Sequence, residues 1–255
     1  MNTGLRIDIH DYEQIYQAGF RLGEFDLLHD LTAKWLLKYP SDIQVNVRKS
    51  EIDLALKQKQ KVNIEIKGLL EKDPENLRAY EIHESNNKII EKYYQSAIHV
   101  LSGKIDTIND IFPWAIMLRA AKNEYKRKNI KKSEKLLRSA MSKDPNNILI
   151  ALEHLRISYK STNIQAVSQL AEIYSERWAK CIQFKIWKAL CKMESGEETE
   201  AVSVLHACVQ SDPGGVVIRR MFGENCEFLS LWPGERFIQY RDKITYNIAV
   251  ALDWT

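Results

Sequence analysis

Six histidines, four cysteines and 34 carboxylates are the side chains of this 255-residue chain that can do acid–base, nucleophilic or metal chemistry. Their spacing decides how much of that chemistry is open to them. His10, His29, His83, His99, His154 and His206 never stand as HxH or HxxxH, the spacings that set two imidazoles on one face. Cys181, Cys191, Cys208 and Cys226 form no CxxC pair. His206 and Cys208 stand close together, but the other thiols are distant in sequence. The thiols read as small apolar fillers of helix cores. Glu197-Glu198 and Glu71 with Asp73 fall at helix ends or turns, where acids suit the positive end of a helix. Ser102-Gly103-Lys104 lacks the upstream glycine of a phosphate loop, and neither GxSxG, HExxH nor GxGxxG occurs. With no nucleophile, base and orienting group in view, the expectation is a protein that is not an enzyme. The pattern asks for no catalytic residue, no cofactor and no metal ion.

What remains is recognition, and the elements that present it follow from the prolines. Pro40, Pro74, Pro145 and Pro213 close similar phrases, LLKYPSD, LLEKDPEN, AMSKDPNN and CVQSDPGG. Their separations are 34, 71 and 68 residues, that is, one period, two periods plus three residues, and two periods. Two helices of about a dozen residues with two short turns fill such a period. Each pair has an apolar face that it cannot bury alone, and stacking pairs buries it. A proline after the second helix stops that helix and disfavours helix at the residue before it.

The segment Trp114 to Asn147, WAIMLRAAKNEYKRKNIKKSEKLLRSAMSKDPNN, resembles the tetratricopeptide repeat (TPR) family. Ala121, Ser133 and Ala140 take its small positions, Tyr125 its aromatic and Pro145 its proline. A second match from Ile182 puts Ala189, Ala201 and Cys208 at the small positions, Gly196 in the inter-helix turn and Pro213 at the end. Between them, 148–181 carries Leu155, Tyr159 and Val167 but no proline, and Trp178-Ala179 occupy the junction. Residues 9–42 and 43–76 fit more loosely, with Tyr16 and Ser50 at the first small position. Unit 77–113 is three residues longer. It reads either as helices over about 77–85 and 88–102 ending at Gly103, with the loop KIDTIND after, or as one helix over 77–102. After Pro213 an irregular seventh pair, 216–255, is expected to cap the array. Pro233 would start its last helix, with Phe237, Tyr240, Ile244, Ile248 and Ala251 as one apolar stripe. The fold expected is all-α, a right-handed solenoid of six to seven helix pairs over 1–215 plus that cap.

The resemblance implies a concave groove lined by the first helix of each pair. Its middle would carry Leu118, Lys122, Tyr125 and Lys126, joined by Leu152, Arg156 and Tyr159 and flanked by Arg119. Tyrosines and cations with apolar stems suit a peptide, and the cations favour an acidic one. The two tyrosines equally suit the packing position between helices. Some members of the family grip a chaperone's terminal carboxylate with a Lys–Asn–Asn–Lys–Arg set. Here Glu13, Gln17, Arg48 and Glu51 stand at comparable places, so that role is not expected of the first three repeats.

Charge adds a second reading. The net charge is only +3, but 119–138 holds nine basic residues and two acidic ones. Arg127, Lys128, Lys131, Lys132 and Lys135 form its densest part, an edge for an anionic partner such as nucleic acid, or a solvated helix face. Few aromatics interleave it, so base stacking is not suggested. The expected function is therefore a non-enzymatic scaffold or adaptor holding another protein or peptide in its groove, with nucleic-acid association as the alternative. The terminal repeats leave self-association open. Forty-five per cent hydrophobic residues, 10 Gly and 6 Pro exclude collagen-like and linker-like chains. Unpaired cysteines and an N-terminal sequence without an apolar leader point to the cytoplasm. No stretch approaches a membrane span.

Overall fold

A computed structural model describes residues 5–87, 91–103, 111–161, 164–226 and 237–240, together with Leu229, Trp232 and Ile244. Among these residues the chain forms thirteen helices and two short strands. Strand β1 (Leu5–Asp8) leads into α1 (Ile9–Leu22) and α2 (Phe25–Lys38). Then come α3 (Ile43–Ala55), α4 (Lys59–Lys72), α5 (Leu77–Asn86), α6 (Lys92–Ser102), α7 (Pro113–Lys126) and α8 (Ile130–Lys143). The series ends with α9 (Ile148–Ser161), α10 (Ile164–Arg177), α11 (Ile182–Glu194), α12 (Glu198–Val209), α13 (Val216–Phe222) and strand β2 (Phe237–Tyr240).

The repeat is visible as hydrogen bonds, not only as composition. At the close of the helix pairs the same bond recurs: Asp42 N–H donates to Tyr39 O, Asn76 to Asp73 O, Asn147 to Asp144 O and Gly215 to Asp212 O, all at 3.0–3.4 Å. These are the four proline turns. Cys181 N–H donates to Trp178 O at 2.9 Å, so the turn without a proline keeps the same bond. The side chains of Asp42, Asn76 and Asn147 then cap the helices that follow, accepting from Val45, Ala79 and Leu149 N–H. Each such cap contributes about 1 kcal/mol.

The turns inside the pairs repeat as well. Glu24, Gln58, Asn129 and Glu197 each donate a backbone N–H five residues back, to Gly19, Asp53, Glu124 and Lys192 O, at 2.8–2.9 Å. This closes the helix only if the preceding residue is left-handed. Gly23, Lys57, Lys128 and Gly196 are, with φ of 77°, 64°, 63° and 82°. Glycine accepts that conformation freely, and lysine does so at a cost of about 1–2 kcal/mol.

Two compact units result, Met1–Val62 with His206–Thr255, and Asn63–Leu205. The core of the first is aromatic: Tyr12, Tyr16, Trp35 and Tyr39 are buried with Ile15, Leu28, Leu31 and Ile52. Tyr12 packs on Trp35 at 5.5 Å between centroids and donates or accepts a 2.8 Å bond with Thr32 Oγ1. At Gly19 a Cβ would lie 2.9 Å from Leu28 Cδ2, so a side chain there would require the buried Leu28 to shift. Ile43 N–H donates to Ser211 O at 2.9 Å, which ties the early and late segments of this unit together, and Trp232 Nε1 donates to Asp212 O within the late one. In the second unit Ala115, Leu118, Ala121, Leu137, Ala140, Leu155 and Ala189 are buried with Trp114, Phe184 and Trp187. Small residues at Ala121, Ser133 and Ala140 let neighbouring helices close, and Ser133 Oγ reaches Ala121 O at 2.8 Å.

The structure decides one alternative and changes two expectations. The 77–102 segment is two helices, since Asn87 is extended (φ −105°, ψ 135°) and ends α5. The chain is not purely helical. Residues 237–240, expected in a final helix, are a strand antiparallel to β1, with Leu5 opposite Tyr240 and Ile7 opposite Ile238. Phe-Ile-Gln-Tyr is β-branched and aromatic, and four residues of i+3 pattern bind less firmly than a ladder with a ready partner. The seventh pair therefore has one described helix, α13. KIDTIND, Pro233, Ile248 and Ala251 lie outside the described residues.

Candidate functional site

Two of the cations expected to face a ligand, Lys122 and Arg156, already face acids of their own chain. Asp73-Pro74-Glu75-Asn76, the turn before α5, sets its carboxylates against α7, α9 and the start of α11. Arg156 on α9 donates through Nη2 to both oxygens of Glu75, at 3.2 and 3.3 Å, and through Nη1 to Glu153. Lys122 on α7 lies 3.5 Å from Glu75 and 3.9 Å from Glu153. Glu75, Glu153 and Asp73 are buried. Asp73 accepts from Gln183 Nε2 at 2.7 Å and from Asn76 Nδ2 at 3.2 Å. Glu75 pushes the Arg156 guanidinium further above its ordinary range, against the effect of burial. Arg156 thus stays charged throughout the working pH range.

The other predicted groove residues divide. Leu118 and Leu152 are core residues, 0% and 1% exposed. Arg119 reaches His99 and the Gly103 carbonyl. Tyr125 is half-buried, and Lys126 is exposed. Tyr159 packs edge-on against Trp187 at 5.4 Å, with Lys160 over its ring. In the basic segment Arg127 and Lys132 both pair with Glu124, at 3.3 and 3.0 Å, whose carboxyl Asn129 and Lys132 hold below its ordinary value. Lys128, Lys131 and Lys135 are exposed. The residues compared with a carboxylate clamp also pair internally. Arg48 bonds Glu13 and Glu51 and lies over the Tyr16 ring at 4.9 Å, while Tyr16 donates to Glu51 at 2.7 Å.

A different part of the second unit is open. A cavity of about 680 Å³ lies between α4, α5 and α6 on one side and the turns 144–147 and 178–181 on the other. Lys67, Leu70 and Glu71 of α4, Tyr80, Tyr93 and Tyr94, Asn146, Ile148 and the run Arg177-Trp178-Ala179-Lys180 line it. The rings are held firmly. Tyr80 is buried and donates to Pro74 O at 3.1 Å. Tyr94 stacks on His83 at 4.0 Å, and Tyr93 packs on Trp114 at 5.8 Å. Trp178 stacks on Phe184 at 5.3 Å and has Arg177 over its ring at 4.8 Å. Burial pushes the Tyr93 hydroxyl up to about 12 and that of Tyr94 upward too, so both stay neutral donors. Arg177 also donates to Asn146 Oδ1, and Lys180 to Glu71 at 2.7 Å.

No family model matches this sequence. No curated protein matches it either. Among solved structures it is similar to the crystal structure of a thermophilic TPR protein in Thermus thermophilus. The two are 14% identical with a TM-score of 0.32, over 82% of this chain and 96% of that one.

The cleft is hidden in the sequence because its walls come from α4, α5, α6 and two turns. The signal present is local: the Tyr93-Tyr94 doublet at a helix start, and a tryptophan directly before the position where four other turns carry proline. The nearby thiol of Cys181 is buried and pushed up to about 12. Among the described residues no three His, Cys, Asp or Glu gather to hold a metal ion. Among them, too, no helix is long and apolar enough to cross a membrane.

Proposed function

We propose that this protein is a helical-repeat scaffold of the tetratricopeptide type, without catalytic activity, that holds a segment of another protein. Its ligand-binding site is the cleft beside Trp178, not the Lys122–Arg156 face. One observation carries this reading: four aromatic rings locked by packing, bordered by exposed cations, around a volume within the roughly 300–1,000 Å³ of ligand clefts. Rigid aromatics offer contact area at little entropy cost. The Lys122–Arg156 face offers a ligand nothing comparable, since Glu75 and Glu153 already take its cations. A repeat of helix pairs over 1–215 is part of the proposal, supported by the recurring turn bonds.

The test is selection of peptides from a displayed random library on the full chain, followed by titration of the enriched ones. Binding is expected to weaken about tenfold or more in Trp178→Ala and Lys180→Glu, and to persist in Lys128→Glu and Lys135→Glu. Enriched peptides indifferent to both cleft variants would overturn the assignment.

A further inference from the structure

Resting on the reading of this cleft as the binding site, we infer that its ligand is an acidic peptide with an apolar anchor residue. The rim carries Lys67, Arg177 and Lys180 against one acid, Glu71. The Lys180–Glu71 pair is 72% and 58% exposed, and such surface pairs contribute about 0–1 kcal/mol. A ligand carboxylate replaces Glu71 there at little cost. Lys67 is held no more tightly, 3.7 Å from an equally exposed Glu91. An acidic ligand therefore finds two cations that can turn to it, Lys67 and Lys180, and a third, Arg177, held over Trp178, whereas a cationic one meets like charge on both walls. That last point excludes a use that four rings otherwise invite, the caging of a quaternary ammonium group.

The rings also discriminate between macromolecules. Single-stranded nucleic acid needs ring faces free for base stacking. Here Phe184 and Arg177 cover Trp178, and His83 covers Tyr94. The Leu70 and Ile148 side chains join the rings in a lining for an aliphatic or aromatic side chain. Anchor below and carboxylates above is the order in which a short acidic peptide satisfies both.

Fluorescence anisotropy on the full chain tests this with three labelled hexapeptides: Asp-Glu-Leu-Phe-Asp-Glu, the same with Lys for every acid, and the same with Ser for Leu and Phe. A ten-nucleotide single-stranded RNA is the fourth probe. The first peptide is expected to bind, about tenfold more weakly after Lys180→Glu or Arg177→Glu, and more weakly as salt rises. Both altered peptides are expected to bind at least about tenfold more weakly than the first. Lys180 is exposed, so its variant tests binding without unfolding, which a thermal melt verifies. Equal or tighter binding of the lysine peptide, or binding of the RNA alone, overturns the inference. Should library-selected peptides respond to Trp178→Ala while the acidic hexapeptide does not bind, the ligand class is wrong and the cleft stands. Peptides of every kind indifferent to Trp178→Ala remove the cleft itself.

Discussion

Lys122 and Lys180 are the same side chain in opposite situations. Lys122 lies on a helix face with two buried carboxylates and a fixed guanidinium about it, and is 21% exposed. Lys180 stands in a turn with one exposed acid, and is 72% exposed. The first region spends its charges on its own chain, and the second holds them out. A cation's helical position therefore says little about its availability. What decides is whether a carboxylate from elsewhere in the chain arrives first.

The strongest way to break this comparison is Arg156→Met. It leaves Glu75 and Glu153 buried without the guanidinium that bonds both of them. Removing one partner of a buried pair costs about 3–5 kcal/mol, so the urea midpoint should fall sharply. Adding Glu75→Gln should restore part of the loss. A midpoint within error of wild type would mean that the network holds nothing.

The next test contrasts acids that have cations with acids that do not. Asp42 and Asp212 are buried, and their partners are N–H groups: Val45 and the Trp35 indole for Asp42, Val216, Val217 and Ile218 for Asp212. Desolvation pushes Asp42 up to about 6 and Asp212 up to about 7, with Asp42 adding to the latter. Both lie above the ordinary carboxylate value, so the folded chain binds protons that the unfolded chain releases. Their contribution is complete below about pH 4 and is lost as pH rises through 6 and 7. The melting temperature should fall between pH 5 and pH 8, and the fall should be smaller in Asp212→Asn. An identical profile in that variant would assign the pH dependence elsewhere.

Smaller still, Lys57→Gly and Lys128→Gly should each raise stability by up to about 1 kcal/mol. The left-handed strain is removed, less the entropy that glycine adds to the unfolded chain. Destabilisation by either would show that the lysine side chain contributes more than its backbone costs. Least of all, Lys180→Glu should change stability by no more than about 1 kcal/mol while changing binding, which is what separates the cleft from the Arg156 network.

The helices were legible because their punctuation is local. Pro40, Pro74, Pro145 and Pro213 report turns whose bonds lie within four residues. The 178–181 turn keeps that geometry without its proline because the bond is backbone to backbone, and Trp178 adds the stacking on Phe184. Strand β2 was not legible, since its partner lies more than two hundred residues away in sequence. For the same reason Lys122 and Arg156 could be placed on their helices, but Glu75 could not be placed beside them. Arg156 and Glu75 are 81 residues apart, and no helical period carries a pairing over that distance. The cleft combines both difficulties, with walls from three helices and two turns.

The pairing of Leu5–Asp8 with Phe237–Tyr240 has a consequence for synthesis. A chain leaving the ribosome exposes Leu5–Asp8 long before Phe237–Tyr240 have been translated, while residues 63–205 emerge as one contiguous stretch that forms a compact unit. The middle of the polypeptide can thus mature first. Strand Leu5–Asp8, made before it, must wait for its ladder partner until the codons for 237–240 have been read.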